Sequence, residues 1–326
     1  MSGNNVVSTM RRVLQSPRLR RIAQWVIVLV ALGYVANSVV ANWGALSEYR
    51  QQFDARYLLA ALVCIMAARC LVGLASREAF SGLGFSLNAR TVFRGYHLAA
   101  LSLYMPGGLY IGRPVIFGQH GVDPVSTSAG VLIEQSAMTL IELLASVPYL
   151  LIVGLGSWSR YWGLGLLIVL PMLVFVHPAV MNPVLRWLLG RLGYRHRTVN
   201  LTVRQLFRML LFDSASVLVS GLSSYLLVSS VYRPPLRLLP LLGSAHSLSM
   251  LVSTVIALTP ASLGIHEGVS TLLTSPLLPP AVPALVSILG RLVSTAALLI
   301  LFGIAALMGE TPRQRRAAVS GSPSEE

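Results

Sequence analysis

The sequence predicts an all-α polytopic membrane protein, with about six full spans and two re-entrant or broken helical elements arranged as an inverted repeat. Three observations predict it. Hydrophobic residues make up 55% of the chain and charged residues only 11%, whereas a soluble domain needs about 25% charged residues to cover its surface. The mean hydropathy is accordingly +0.71. Apolar runs of span length recur along the chain, and arginines gather in the short segments between them.

The elements follow in order. Residues 1–21 form a basic segment, expected in the cytoplasm, with Arg11, Arg12, Arg18, Arg20 and Arg21 ahead of the first apolar run. That run, Ile22–Ala41, is long enough to span and lacks a small-residue cleavage site, so it reads as a retained helix rather than a signal peptide. Further full spans are expected at Tyr57–Ala75, Val125–Leu155, Trp162–Val180, Met209–Val231 and Val282–Leu307. Each approaches or exceeds the ~20 residues that cross ~30 Å of hydrocarbon.

Two more apolar regions are interrupted. Gly95–Phe117 contains Tyr104-Met105-Pro106-Gly107-Gly108, and Leu238–Leu278 contains Thr259-Pro260-Ala261-Ser262-Leu263-Gly264. Pro and Gly leave backbone groups unsatisfied, which lipid does not tolerate, so the breaks should face protein or a wet cavity. Both read as re-entrant or broken helices; the plainer alternative is a pair of kinked spans. The stretch Leu185–Arg208 reads as an interfacial amphipathic segment, and residues 309–326 as a polar, disordered cytoplasmic tail. Residues 22–308 thus form one transmembrane domain.

Charge placement orients it. All 25 cations are Arg. With the N-terminus in the cytoplasm and each broken region returning to its own side, 18 Arg fall on the cytoplasmic side. Five (Arg50, Arg56, Arg160, Arg233 and Arg237) fall on the other, and Arg69 and Arg291 lie within spans. This asymmetry fits the positive-inside rule and places both termini in the cytoplasm of a bacterial inner membrane.

Several functions are excluded by what is missing. A net charge of +14 without aromatic-basic interleaving on a solvated face does not describe a nucleic-acid binder. A phosphate-binding Walker loop needs Lys, and there is none. The three Asp residues, Asp54, Asp123 and Asp213, have no neighbouring acid with which to hold a divalent metal. Cys64 and Cys70 sit about 240° apart on one helix and cannot bridge, and no zinc-ligand spacing occurs. No cofactor and no enzymatic activity are expected.

Ionisable groups inside spans are the informative ones. Arg291 lies about 13 Å into the last span, too deep to snorkel, and needs a partner or a polar cavity. Glu134 and Glu142 share one span, and either could pair with Arg291 or line a pathway. Arg69 lies near enough to its cytoplasmic end to reach headgroups. Glu267 follows the second break, near a half-helix start where the dipole favours an acid; simple capping is the bland reading. His266 beside it and His246 upstream could share a proton, although a lone His is more often only hydrogen-bonded. In the first break, Gly107, Gly108 and Gly112 allow close backbone approach, and free N–H groups with Arg113 would suit a phosphate.

At the two breaks the chain resembles the lysylphosphatidylglycerol synthase transmembrane family, also described as flippase-like or UPF-type membrane proteins. The first likeness lies in Leu101-Ser102-Leu103-Tyr104-Met105-Pro106-Gly107-Gly108, Gly112-Arg113, Gly118, Gly121 and Val131-Leu132-Ile133-Glu134. The second lies in Pro260-Ala261-Ser262-Leu263-Gly264-Ile265-His266-Glu267-Gly268 and Arg291, and the similarity runs from about Ile22 to Leu307. Family members usually carry glycines where this chain has Ala261 and Ser262, and often an acid where it has Tyr110 and Ile111, which implies a different substrate preference. The resemblance implies movement of a lipid or lipid-linked substrate without ATP, with Pro106, Gly107, Gly108, Arg113, Glu134, Pro260, Gly264, Glu267 and Arg291 contacting it. Membrane lipids would be the partners. The alternative is a non-transporting accessory subunit bound to an envelope biosynthesis enzyme. No aminoacyl-transferase domain occurs within these 326 residues, so lysyl transfer is not expected of them.

Overall fold

The structure, a computed structural model, describes residues 53–104, 108–153, 162–191, 194, 199–256 and 265–308. The expected first span Ile22–Ala41, the tail, and the break residues Pro106, Gly107, Pro260 and Gly264 lie outside the described residues. Among the described residues there are ten α-helices and no strand. They are α1 (Ala55–Gly82), α2 (Ala89–Ala100), α3 (Gly108–Gly118), α4 (Pro124–Ile152), α5 (Trp162–Val176), α6 (Pro178–Arg191), α7 (Val203–Ser229), α8 (Leu239–Ile256), α9 (Ile265–Thr274) and α10 (Val282–Leu307). The architecture is that of a polytopic helical membrane protein. α1, α4, α7 and α10 are each long and apolar enough to cross a membrane, and so is Leu236–Thr254, which holds most of α8.

Short polar residues start these helices. Asp54 accepts from the Arg56 amide (2.9 Å) ahead of α1, and Asn88 accepts from the Thr91 amide (2.7 Å) ahead of α2. Asp123 accepts from the Ser126 amide (2.8 Å) ahead of α4, whose first residue is Pro124. Thr202 and Gln205 form a reciprocal capping box at α7. Each satisfies a backbone N–H that the first helical turn leaves unpaired.

The centre of the bundle is the antiparallel pair α1 and α7. The Ser216 hydroxyl donates to the Ala68 carbonyl (3.1 Å), the Ser223 hydroxyl to the Ala61 carbonyl (3.2 Å), and the Asp54 amide to the Ser230 carbonyl (2.9 Å). These contacts recur every seven residues along both helices and their caps. α1 therefore presents Ala61, Ala68, Ala75 and Gly82 along one buried stripe. Heptad spacing holds a seam in register between two helices, and small residues let the backbones approach where lipid gives no hydrophobic drive. α7 meets α8 equally closely: a Cβ on Gly221 would lie 3.0 Å from the Gly243 Cα. The opposite face of α7 exposes Phe207, Leu211, Leu218 and Leu222, the outward apolar surface a lipid-facing helix shows.

Two elements differ in shape from the sequence expectation. The apolar run Trp162–Val180 is not one straight span: α5 ends at Val176, and Val169–Val176 meets Pro178–Arg191 at 69°. Pro178 cannot extend the hydrogen-bond ladder of α5, which explains the bend. α6 then buries Met181, Leu185 and Leu189 and exposes Trp187, the amphipathic pattern expected around Leu185. In the second interrupted region the first half is not short. With Pro240 at the second position of α8, where a missing N–H does no harm, the helix runs unbroken to Ile256.

The first interrupted region is a hairpin of two half-length helices. α2 and α3, of 12 and 11 residues, reach only about 18 Å each. A Cβ on Gly95 would stand 2.8 Å from the Phe117 ring, and one on Gly112 would stand 2.1 Å from the Ser102 hydroxyl. Those two glycines let the halves fold against each other.

Candidate functional site

An Arg–Glu pair latches each interrupted element to a neighbouring helix. Arg113 of α3 grips Glu134 of α4 through two parallel hydrogen bonds, Nη1 to Oε2 at 2.6 Å and Nη2 to Oε1 at 2.8 Å. The side chains are 4% and 0% exposed. The guanidinium also lies over the Tyr96 ring of α2, 4.5 Å from its centroid, so one buried cation holds three helices by the planar fork and face that Arg alone offers. Arg113, expected to suit a phosphate, is thus paired with Glu134 inside the protein. Gly108 begins α3.

The second latch joins α9 to α10. Arg291 Nε donates to Glu267 Oε1, and Ser287 donates to the Glu267 carbonyl (3.0 Å). Glu267 lies in the first turn of α9, where the helix dipole favours it. The expected pairing of Arg291 with Glu134 or Glu142 is thus replaced by a partner 24 residues away, because α9 folds back along α10. This latch is less enclosed than the first, at 13% and 16% exposure.

Beside it the bundle holds a partly open cavity of about 400 Å³ lined by residues of α1, α2, α4, α7, α8, α9 and α10. That volume lies in the range of small-molecule sites. Its wall carries Arg69, Glu142, His246, His266 and Arg291, together with many hydroxyls, among them Ser223, Ser247, Ser270 and Ser294. Arg69 does not reach toward headgroups as its position near a span end suggested. It turns inward, and its Nη2 donates to the Ser294 hydroxyl of α10 (3.0 Å). His266 Nδ1 shares a hydrogen bond with the Ser249 hydroxyl (2.9 Å), and its ring meets that of His246 edge to face at 5.7 Å.

Tyr96 and Asp213 were not singled out by sequence reading. Tyr96 lines the cavity on one side and touches Arg113 on the other, so it bridges the first latch and the cavity. A lone Tyr near a Gly carries no sequence signal of that role. The serines of the wall could have been found: Ser216, Ser220, Ser223 and Ser224 lie on α7 at three-, four- and seven-residue spacings, which put them on one face. Among the described residues no cluster of three or more His, Cys, Asp or Glu side chains is arranged to hold a metal ion. Both cysteines are free. No known protein-family model matches the chain, and no curated protein is similar to it.

Proposed function

We propose that this chain moves a lipid or lipid-linked substrate between leaflets of the bacterial inner membrane without ATP, its polar headgroup passing through the cavity and its chains remaining in lipid. The observation that carries this reading is a hydroxyl- and arginine-lined cavity of about 400 Å³ inside a bundle of span-length apolar helices. Ionisable side chains at membrane depth are costly and mark transport paths more often than packing. Arg69 and Arg291 supply positive charge for a phosphate, and the surrounding hydroxyls supply donors and acceptors that replace its water. The likeness of the two interrupted elements to the lysylphosphatidylglycerol synthase transmembrane family points the same way.

The test is reconstitution of the full chain in vesicles containing labelled phosphatidylglycerol or a labelled polyprenyl phosphate, with a quencher added outside. Protein-containing vesicles should expose the inner-leaflet label faster than empty ones. Arg291→Ala or Glu267→Gln should slow exposure about tenfold, equivalent to ~1.4 kcal/mol of barrier. Rates equal to those of empty vesicles across a panel of lipids would sink the reading.

A further inference from the structure

The seven acidic residues in the described part of the chain fall into two groups. Asp54 and Asp123 cap helices; Glu78, Glu134 and Glu267 pair with Arg208, Arg113 and Arg291. Glu142 and Asp213 do neither. Asp213 is fully buried, and neither of its carboxylate oxygens has a hydrogen-bond partner among the described residues. Glu142 is 7% exposed and stands on the cavity wall.

The position of Asp213 makes its isolation significant. It lies ten residues into α7, about 15 Å along a helix of roughly 40 Å, and four residues inside the apolar run Met209–Val231. Ser216 and Val217, one turn further along the same face, line the cavity. Of the helices packed on α7, α1 turns Arg69 and α4 turns Glu142 to that cavity, while Glu134 of α4 is held by Arg113. Of the other helices packed on α7, α8 turns His246 and α10 turns Arg291 to the same cavity. A carboxylate buried without a partner is among the most expensive groups a protein can hold as an ion, and binding a proton removes that charge. The other five acids among the described residues each cap a helix or pair with an arginine.

We infer that Asp213 and Glu142 form a proton-binding site that couples headgroup movement to a proton gradient. This rests on the lipid-moving reading above. A proton from cavity water binds a Glu142 carboxylate oxygen, passes to Asp213 and leaves to the opposite side when the cavity is reached from there. No other bond forms or breaks. Glu142 is the cavity-facing member and Asp213 the buried store, one turn along α7 from Ser216 of the wall.

The test has two arms on the intact chain. Infrared difference spectra of the protein in lipid, taken across a pH titration, should contain the C=O stretch of a protonated carboxyl that is lost in Asp213→Asn and altered in Glu142→Gln. In vesicles bearing an imposed pH gradient, a pH dye should record proton flux, and labelled phosphatidylglycerol should cross faster than without the gradient. Asp213→Asn should lose that acceleration, while Glu78→Gln, which touches only an ion pair at the bundle surface, keeps it. Circular dichroism confirms that the variants fold. Absence of a titrating carboxyl band, or lipid movement indifferent to the gradient, would overturn the proposal. Wild-type vesicles that move no lipid would sink the lipid reading instead, and the infrared arm would still decide the proton site alone.

Discussion

Breaking the Arg113–Glu134 latch is the most quantitative perturbation the structure offers. Both side chains are essentially removed from solvent, at 4% and 0% exposure, and are joined by two short charge-assisted hydrogen bonds. Glu134→Leu leaves a guanidinium buried beside Tyr96 without its counter-charge, which costs about 3–5 kcal/mol. Arg113→Met strands the carboxylate by a similar amount and also removes the face-on contact with Tyr96, worth a further ~0.5–2 kcal/mol. The double replacement removes both charges together and fills the space with apolar atoms, so it should restore most of the loss; such replacements of whole buried pairs are commonly neutral or stabilising. The measurement is a double-mutant cycle by SDS-induced unfolding in mixed micelles, followed by circular dichroism. A coupling of at least ~3 kcal/mol, more than a hundredfold in the unfolding constant, is expected. If Glu134→Leu costs less than ~1 kcal/mol, or if the double variant is as unstable as the two singles summed, the latch is not the buried pair described.

Three further outcomes follow from the packing. Gly95→Ala places a methyl 2.8 Å from the Phe117 ring and should lower stability by about 1–3 kcal/mol through overpacking, with Phe117→Leu recovering part of it in a thermal melt. Ala281 precedes α10 with φ of 69°, a left-handed backbone that an L-residue adopts at a cost of ~1–2 kcal/mol; Ala281→Gly, partly offset by chain entropy, should raise the melting midpoint. In a chain carrying Cys64→Ser and Cys70→Ser, cysteines at 61 with 223 or at 68 with 216 should crosslink. Cysteines at 61 with 216 should not, because seven residues displace them by about 10 Å.

The fold was legible in the sequence wherever lipid dictated it. Val282–Leu307 was read to the residue and Pro124–Ile152 within a few, because an uninterrupted apolar run in a membrane has no competing structure. The α1 stripe of Ala61, Ala68, Ala75 and Gly82 was not read, because Ala is common enough that only its partners on α7 make the seven-residue spacing a seam. The bend at Pro178 was missed because hydropathy averages across it. At the site, the residue types were legible and their pairing was not. Glu134 and Glu142 stood as partners for Arg291, and the fold of α9 along α10 selects Glu267 instead. Asp213 carried the least signal: an Asp inside an apolar helix looks the same in sequence whether or not anything meets it.

The two latches invite comparison as equivalents, one for each interrupted element, but their surroundings separate their roles. Arg113 and Glu134 satisfy each other, Tyr96 covers the guanidinium, and neither charge faces the cavity. A group entering the bundle would meet Arg291 on the cavity wall that His266 and Glu142 also line. A tightly satisfied pair favours one geometry, whereas a pair less enclosed, at 13% and 16% exposure, can exchange a partner for an incoming phosphate at smaller cost. If Glu267 released Arg291 to such a phosphate, α9 would lose its ionic hold on α10, while its hydrogen bonds to Ser287 of α10, Ser249 of α8 and Tyr149 of α4 remain. The element that would then move is the half-helix, and the one that stays is the hairpin of α2 and α3 held by Arg113. Loss of Arg113 should therefore appear first as instability, and loss of Arg291 first as slowed transfer.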